Sequence, residues 1–313
     1  MTKALLFPGQ GSQVVGMGLD MYNNFACARE VFEEVDAALG EKLSSVIFNG
    51  PQEVLTMTEN AQPAIMATSM AVLSVMKQEL GFSISRDAVF VAGHSLGEYS
   101  ALCAAGALSL TDTARLLRVR GKAMQQAVPK GLGAMAALLG ADYDAADAIS
   151  KEAAQGDVCC VANDNAPGQV VISGAKAAVE RAIEIAKGKG IKRAIMLEVS
   201  APFHCPLMAP ASGVMAEALS AAKIQAPTVP VVANVTARAE TNPAIIRQLL
   251  VDQVTGMVRW RESIQYIKAQ DVAATLEVGA GKVLSGLNKR IEPELESFNI
   301  GTPAELTAFA NMV

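Results

Sequence analysis

Apolar positions follow two rhythms along this chain. Short unbroken runs at residues 4–7 and 88–92 have the continuous hydrophobicity of strands covered on both faces. Between and after them, apolar residues return every three or four positions, which predicts helices over 17–39, 63–80, 96–106 and 111–128. The stretch from Gln62 to Leu80 carries Ala, Met and Val on nearly every face, so its helix is expected to be buried all round. Strands alternating with helices in this way predict an α/β layer fold built on a parallel sheet.

The rhythm changes after Pro129-Lys130-Gly131-Leu132-Gly133. Strand patterns at 134–139, 158–162, 169–173 and 191–199 are interleaved with helical patterns at 142–154 and 175–187, and residues 163–168 read as a turn. That order, βαββαβ, is the split ferredoxin-like unit. Strand patterns at 229–234 and 273–278 then return among helices. The simplest organisation is one large α/β domain made of residues 1–128 and 200–313, interrupted by a smaller ferredoxin-like subdomain at 129–199.

The candidate chemistry sits where a strand pattern meets a helix pattern. Gly93-His94-Ser95-Leu96-Gly97 has the glycines that let a serine stand on a sharp strand-to-helix turn with its hydroxyl exposed, a nucleophile elbow. A serine hydroxyl needs a base, and the chain has only His94 and His204. His94 adjoins Ser95 on a tight turn, so its side chain should leave in another direction; if the base is histidine, it is His204. The N–H of Leu96, at the start of the following helix, is a candidate donor to an oxyanion. A second donor is expected from the loop Phe7-Pro8-Gly9-Gln10-Gly11-Ser12-Gln13. That loop also invites a dinucleotide-binding reading, against which Val14 stands where a third glycine belongs. In the helix predicted over 111–128, Arg120 falls on the apolar side with Leu116, Leu117 and Met124, so it needs an anion: a buried carboxylate or a ligand.

Composition removes several other classes. With 313 residues, 51% of them hydrophobic, the chain can bury a sizeable core. A net charge of -5 argues against general nucleic-acid binding. The five cysteines form no C-x-x-C pair, which suggests neither a disulfide framework nor a zinc site and fits a reducing compartment. No run approaches the ~18 apolar residues of a membrane span, and the N-terminus leads directly into a strand pattern, so the expectation is a cytoplasmic protein without membrane attachment.

Pro8 to Gln13, Gly93 to Glu98, Arg120-Gly121-Lys122, Ser200-Ala201-Pro202-Phe203-His204, Asn234-Val235-Thr236 and Gln253 through Trp260 together resemble the malonyl-CoA:acyl carrier protein transacylases, in family order over nearly the whole chain. The resemblance implies a hydrolase-like core with a ferredoxin-like insert. It implies Ser95 as nucleophile, His204 as base, and the backbone amides of Gln10 and Leu96 as oxyanion hole. It further implies Arg120 as the ligand of a malonyl carboxylate, a backbone carbonyl near Gln253 orienting His204, and Phe203 limiting room for a branched acyl chain. Met257 departs from the pattern, standing where proline is common. The expected reaction is a ping-pong transfer from malonyl-CoA to the phosphopantetheine of acyl carrier protein, without metal or redox cofactor, by a monomer serving fatty acid biosynthesis. The acidic carrier is expected to meet a basic face drawn from Lys187, Lys189, Lys192, Arg193, Lys282, Lys289 and Arg290. A serine esterase or thioesterase, an acyltransferase of a polyketide pathway and a non-catalytic scaffold remain the alternatives. A thioesterase leaves Arg120 without an evident task.

Overall fold

The computed structural model describes residues 2–191 and 193–311. Ten strands occur among them: β1 (Lys3–Phe7), β2 (Phe90–Gly93), β3 (Gly133–Leu139), β4 (Cys159–Ala166), β5 (Gln169–Ala175), β6 (Arg193–Met196), β7 (Val231–Ala233), β8 (Arg238–Glu240), β9 (Ala274–Val278) and β10 (Glu296–Ile300). The first sheet has the order β10-β9-β1-β2-β7-β8. Its first five strands run parallel, and β8 turns back antiparallel on β7 at the edge. Every residue of β1 and β9 is buried, as central parallel strands covered by helices on both faces require. The helix Thr58–Leu80 lies against this sheet and is buried from Ala61 to Leu73 without interruption, as its composition predicts, but Lys77, Gln78 and Glu79 in its last turn are exposed.

The second sheet has the order β4-β5-β3-β6, and all its pairs are antiparallel. With helices Tyr143–Ala154 and Lys176–Gly188 it completes the βαββαβ sequence. It holds a core of its own around Leu138, Ile149, Val161, Ile172 and Val179. The small sheet is tied to the segment leading into helix Trp260–Lys268 at Val258, whose N–H donates to Ala162 O at 2.9 Å and whose carbonyl accepts from Asp164 N at 3.0 Å.

Several expected boundaries move, each for a local reason. The helix expected over 17–39 is two, Leu19–Asn24 and Ala26–Leu39, because Phe25 between them is extended (φ -129°, ψ 123°). The helix expected from Pro63 starts at Thr58, with Pro63 inside it. Strand β4 continues through Asn163 and Asn165 with two register shifts, so these residues are strand and not turn; the turn is Pro167-Gly168. Strand β6 is shorter than the 191–199 pattern, since residues 197–199 leave the sheet to line the cleft described below, and Lys192 lies outside the described residues. Edge strands β8 and β10 and helices Leu43–Asn49 and Gln52–Thr56 are additions to the pattern read from sequence.

Candidate active site

Between the two sheets lies a cleft of about 360 Å³, lined among others by Gln10, Ser95, Arg120, Asn163, Phe203 and His204. Ser95 occupies the junction between β2 and helix Leu96–Ala104 with φ 54° and ψ -109°, a backbone state costly for a residue with a Cβ. Neighbouring contacts hold it there. Ser95 N donates to Asn234 Oδ1 at 2.7 Å, and Asn234 Nδ2 donates to the Gly93 carbonyl at 2.7 Å. The turn closes so tightly that a Cβ on Gly93 would press into the Gly97 carbonyl and stand 2.6 Å from Glu98 N. Gly93→Ala is therefore expected to destabilise the protein by about 3 kcal/mol, from overpacking against backbone that cannot turn aside. Thermal denaturation checks this; an unchanged melting temperature would mean the turn is loose.

His204 Nε2 lies 2.8 Å from Ser95 Oγ. On the other side of the ring, Nδ1 faces the carbonyl oxygens of Gln253 at 2.9 Å and Gly256 at 3.1 Å. Two acceptors at Nδ1 require the proton there, which leaves the Nε2 lone pair directed at the serine hydroxyl. Burial, followed by the nearby Arg120 charge, pushes the His204 pKa down from 6.5 to about 3, so the ring is neutral and ready to accept a proton across the physiological range. His94 turns away, as its position implies: its Nε2 pairs with Asn165 Oδ1 at 2.8 Å and its ring lies 5.7 Å from that of Trp260. Asn165 thus holds His94 from its place in β4.

Arg120 is 1% exposed, confirming the inward face read from the helical period. Its Nη1 donates to Gln62 Oε1 at 2.8 Å, and its Nη2 donates to Gln253 Oε1 at 2.8 Å and to Ser95 Oγ at 3.0 Å. Among the described residues its partners include no carboxylate, and its Nε has no hydrogen-bond acceptor. A buried guanidinium held only by neutral oxygens retains most of its attraction for an anion entering the cleft. Glu98, the buried carboxyl group that acts on it, does so by charge and through the Gln253 amide and not by a direct hydrogen bond, which leaves Arg120 able to take a ligand carboxylate.

The backbone of Gly9 comes against His94, for a Cβ there would stand 2.6 Å from the His94 carbonyl oxygen, and this packing brings Gln10 to the cleft. Leu96 is the first residue of its helix, where no carbonyl of the preceding turn claims the N–H. Phe203 lines the cleft and is 8% exposed. Met257 packs against the core of the small sheet. Sequence reasoning assigned no role to Gln62, Glu98, the Asn234 amide or the Gln253 side chain, and the structure places all four in the hydrogen-bond network around Ser95 and Arg120. Of the basic residues considered for carrier docking, Lys187, Lys189 and Lys282 each pair with a glutamate, and Arg290 is tied to Gln169 and Pro167.

A mainly parallel sheet with a serine elbow at the carboxyl end of β2 and a small antiparallel sheet roofing the same cleft place this protein among α/β proteins that act on acyl groups through a serine. Residues 4–291 match the acyl transferase domain family. The malonyl CoA-acyl carrier protein transacylase of Bacillus subtilis is 48% identical over 301 residues, spanning 96% of this chain and 93% of its own. That of Escherichia coli is 47% identical over 305 residues, 97% of each chain. Among solved structures, the acyl-carrier-protein S-malonyltransferase of Bartonella henselae superposes with a TM-score of 0.97 at 55% identity, covering 100% of this chain and 99% of that one. A malonyl-transacylase in complex with its type II polyketide acyl carrier protein superposes at 0.96 with 42% identity over the full length of both chains. The chain belongs to the malonyl-CoA:acyl carrier protein transacylase family.

Proposed function

We propose that the protein transfers a malonyl group from malonyl-CoA to the phosphopantetheine thiol of an acyl carrier protein, supplying fatty acid biosynthesis. The observation that carries the malonyl assignment is the buried Arg120, which among the described residues has no carboxylate as a hydrogen-bond partner and whose Nη2 lies 3.0 Å from Ser95 Oγ. In this reading His204 Nε2 takes the Ser95 proton as Oγ bonds to the thioester carbonyl carbon. The carbonyl oxygen becomes an oxyanion held by the N–H groups of Gln10 and Leu96. Collapse breaks the C–S bond, and the departing coenzyme A thiolate receives the proton from His204. A malonyl-serine ester remains, its free carboxylate forked on Arg120. The carrier's thiol then gives its proton to His204, attacks the ester, and releases Ser95 Oγ, which recovers that proton. Gln253 orients His204 through its carbonyl, and Phe203 narrows the acyl site against a branching methyl.

The reading needs no metal or redox group. It includes a monomeric, cytoplasmic enzyme in which residues 129–199 form an inserted subdomain over a core of residues 1–128 and 200–313. Among the described residues no helix is long and apolar enough to cross a membrane, which is compatible with it. Intact-protein mass spectrometry after brief mixing with malonyl-CoA tests the proposal, with acetyl-CoA alongside. A malonyl-sized adduct that disappears on adding holo acyl carrier protein is expected, and acetyl labelling should be far slower. Equal labelling by the two thioesters overturns the malonyl assignment; fast hydrolysis without a carrier favours a thioesterase.

A further inference from the structure

Glu98 is 2% exposed in the first turn of the helix that follows Ser95. A buried carboxyl group demands hydrogen-bond partners, and one of its oxygens serves two donors at once. Oε2 accepts from Gln253 Nε2 at 2.7 Å and from the backbone N–H of Asn234 at 3.1 Å. Gln253 Nε2 has a second acceptor in the Ser95 carbonyl at 3.0 Å. With its NH2 end fixed by these two acceptors, the Gln253 amide turns its only oxygen toward Arg120, where Oε1 receives Nη2 at 2.8 Å. Reversed, the amide would set two hydrogens against the hydrogens of Arg120 Nη2.

We infer that Glu98 is a positioning residue for the acyl transfer, holding the Gln253 carboxamide one way round so that its oxygen fixes the guanidinium of Arg120 at the acyl site. What Glu98 supplies is an acceptor at a set reach. Burial pushes its pKa up to about 7, so both the neutral acid and the carboxylate are present near neutrality, and an unprotonated Oε2 is common to both. The inference rests on the malonyl-transfer reading, because the consequence of a misplaced Arg120 is greatest for an acyl group with its own carboxylate. A second arm, from Oε2 through Asn234 to Ser95 N, touches the elbow and acts on every acyl donor alike.

The experiment compares Glu98→Gln with Glu98→Asp, measuring kcat/KM of acyl-enzyme formation with malonyl-CoA and with acetyl-CoA in the wild-type background. Gln keeps length and acceptor but loses charge; Asp keeps charge but falls one methylene short. Glu98→Gln is expected to stay within about threefold of wild type for both donors, and Glu98→Asp to lower both through the Asn234 arm but malonyl-CoA by about tenfold more than acetyl-CoA, the size expected for one weakened hydrogen bond to a charged group. Equal losses on the two donors, or loss in Glu98→Gln with retention in Glu98→Asp, overturn the inference in favour of a scaffold or a charge role. A malonyl-to-acetyl ratio unchanged in both variants overturns it too. A wild-type protein with no malonyl preference overturns the functional reading itself, and this inference with it.

Discussion

Ser95→Ala is expected to abolish the malonyl adduct and lower transfer by about 10⁴- to 10⁶-fold, the range seen when a serine nucleophile is removed and only binding and oxyanion donors remain. Among the described residues the side chain lost hydrogen-bonds to His204 and Arg120, at 2.8 and 3.0 Å, both in the cleft, so little of the fold depends on it. Alanine keeps the Cβ and therefore the φ of 54°, and the melting temperature should move by less than about 3 °C. His204→Ala should lower transfer to a similar extent, and the double substitution should be no worse than either alone, because a nucleophile and its base act as one unit. Intact-mass labelling and steady-state transfer to a carrier give the two readouts. Persistence of a malonyl adduct in Ser95→Ala would move the nucleophile to another residue, and additive losses in the double variant would separate His204 from Ser95.

Features set by a few adjacent residues were legible in the sequence. The pattern of the elbow is local, since a buried strand, a serine between two glycines and a helix occupy residues 90–104, although Asn234 holds the finished turn. His204 could be selected because histidine is scarce, and Arg120 because the helical period fixes which way position 120 faces. The carbonyl orienting His204 came only from the family resemblance, for every residue has a carbonyl and nothing in sequence aims one. Glu98 illustrates what pattern cannot reach. An acid in the first turn of a helix reads as a solvent-facing complement to the helix dipole. Its burial comes from Asn234 and Gln253, more than 130 positions away in the chain, as the hydrogen-bond separations of 136 and 155 residues show. Asn163 and Asn165 misled for the opposite reason, since Asn-Ala-Pro-Gly has strong turn chemistry locally while the ladder to β5 and the bond to Val258 keep the backbone extended.

The same geometry makes Arg120 the selector, and Arg120→Ala should separate selection from chemistry. Loss of the guanidinium is expected to reduce kcat/KM for malonyl-CoA by about 10² to 10³, or roughly 3 to 4 kcal/mol, as for a buried charged partner left without its mate. Acetyl-CoA, which offers no carboxylate, should be used as well as before or better. A second effect follows from the charge that Arg120 places near His204. That charge and the larger contribution of burial hold the folded-state pKa at about 3 against an ordinary 6.5. Because the native ring resists a proton that the unfolded chain accepts, its contribution lowers stability progressively as pH falls from about 6.5 toward about 3. Removing Arg120 raises the folded-state pKa and narrows that window from below. The acid limb of Ser95 acylation should therefore move to higher pH in Arg120→Ala. This is best followed with a neutral acyl donor, since a malonyl carboxylate can titrate in the same range. When malonyl binds the intact protein, its carboxylate offsets the same charge, so the acid limb of kcat should lie above that of kcat/KM. An acid limb that stays in place in Arg120→Ala would leave burial alone responsible for the His204 shift. A malonyl-to-acetyl ratio that also stays in place would leave the carboxylate without its ligand.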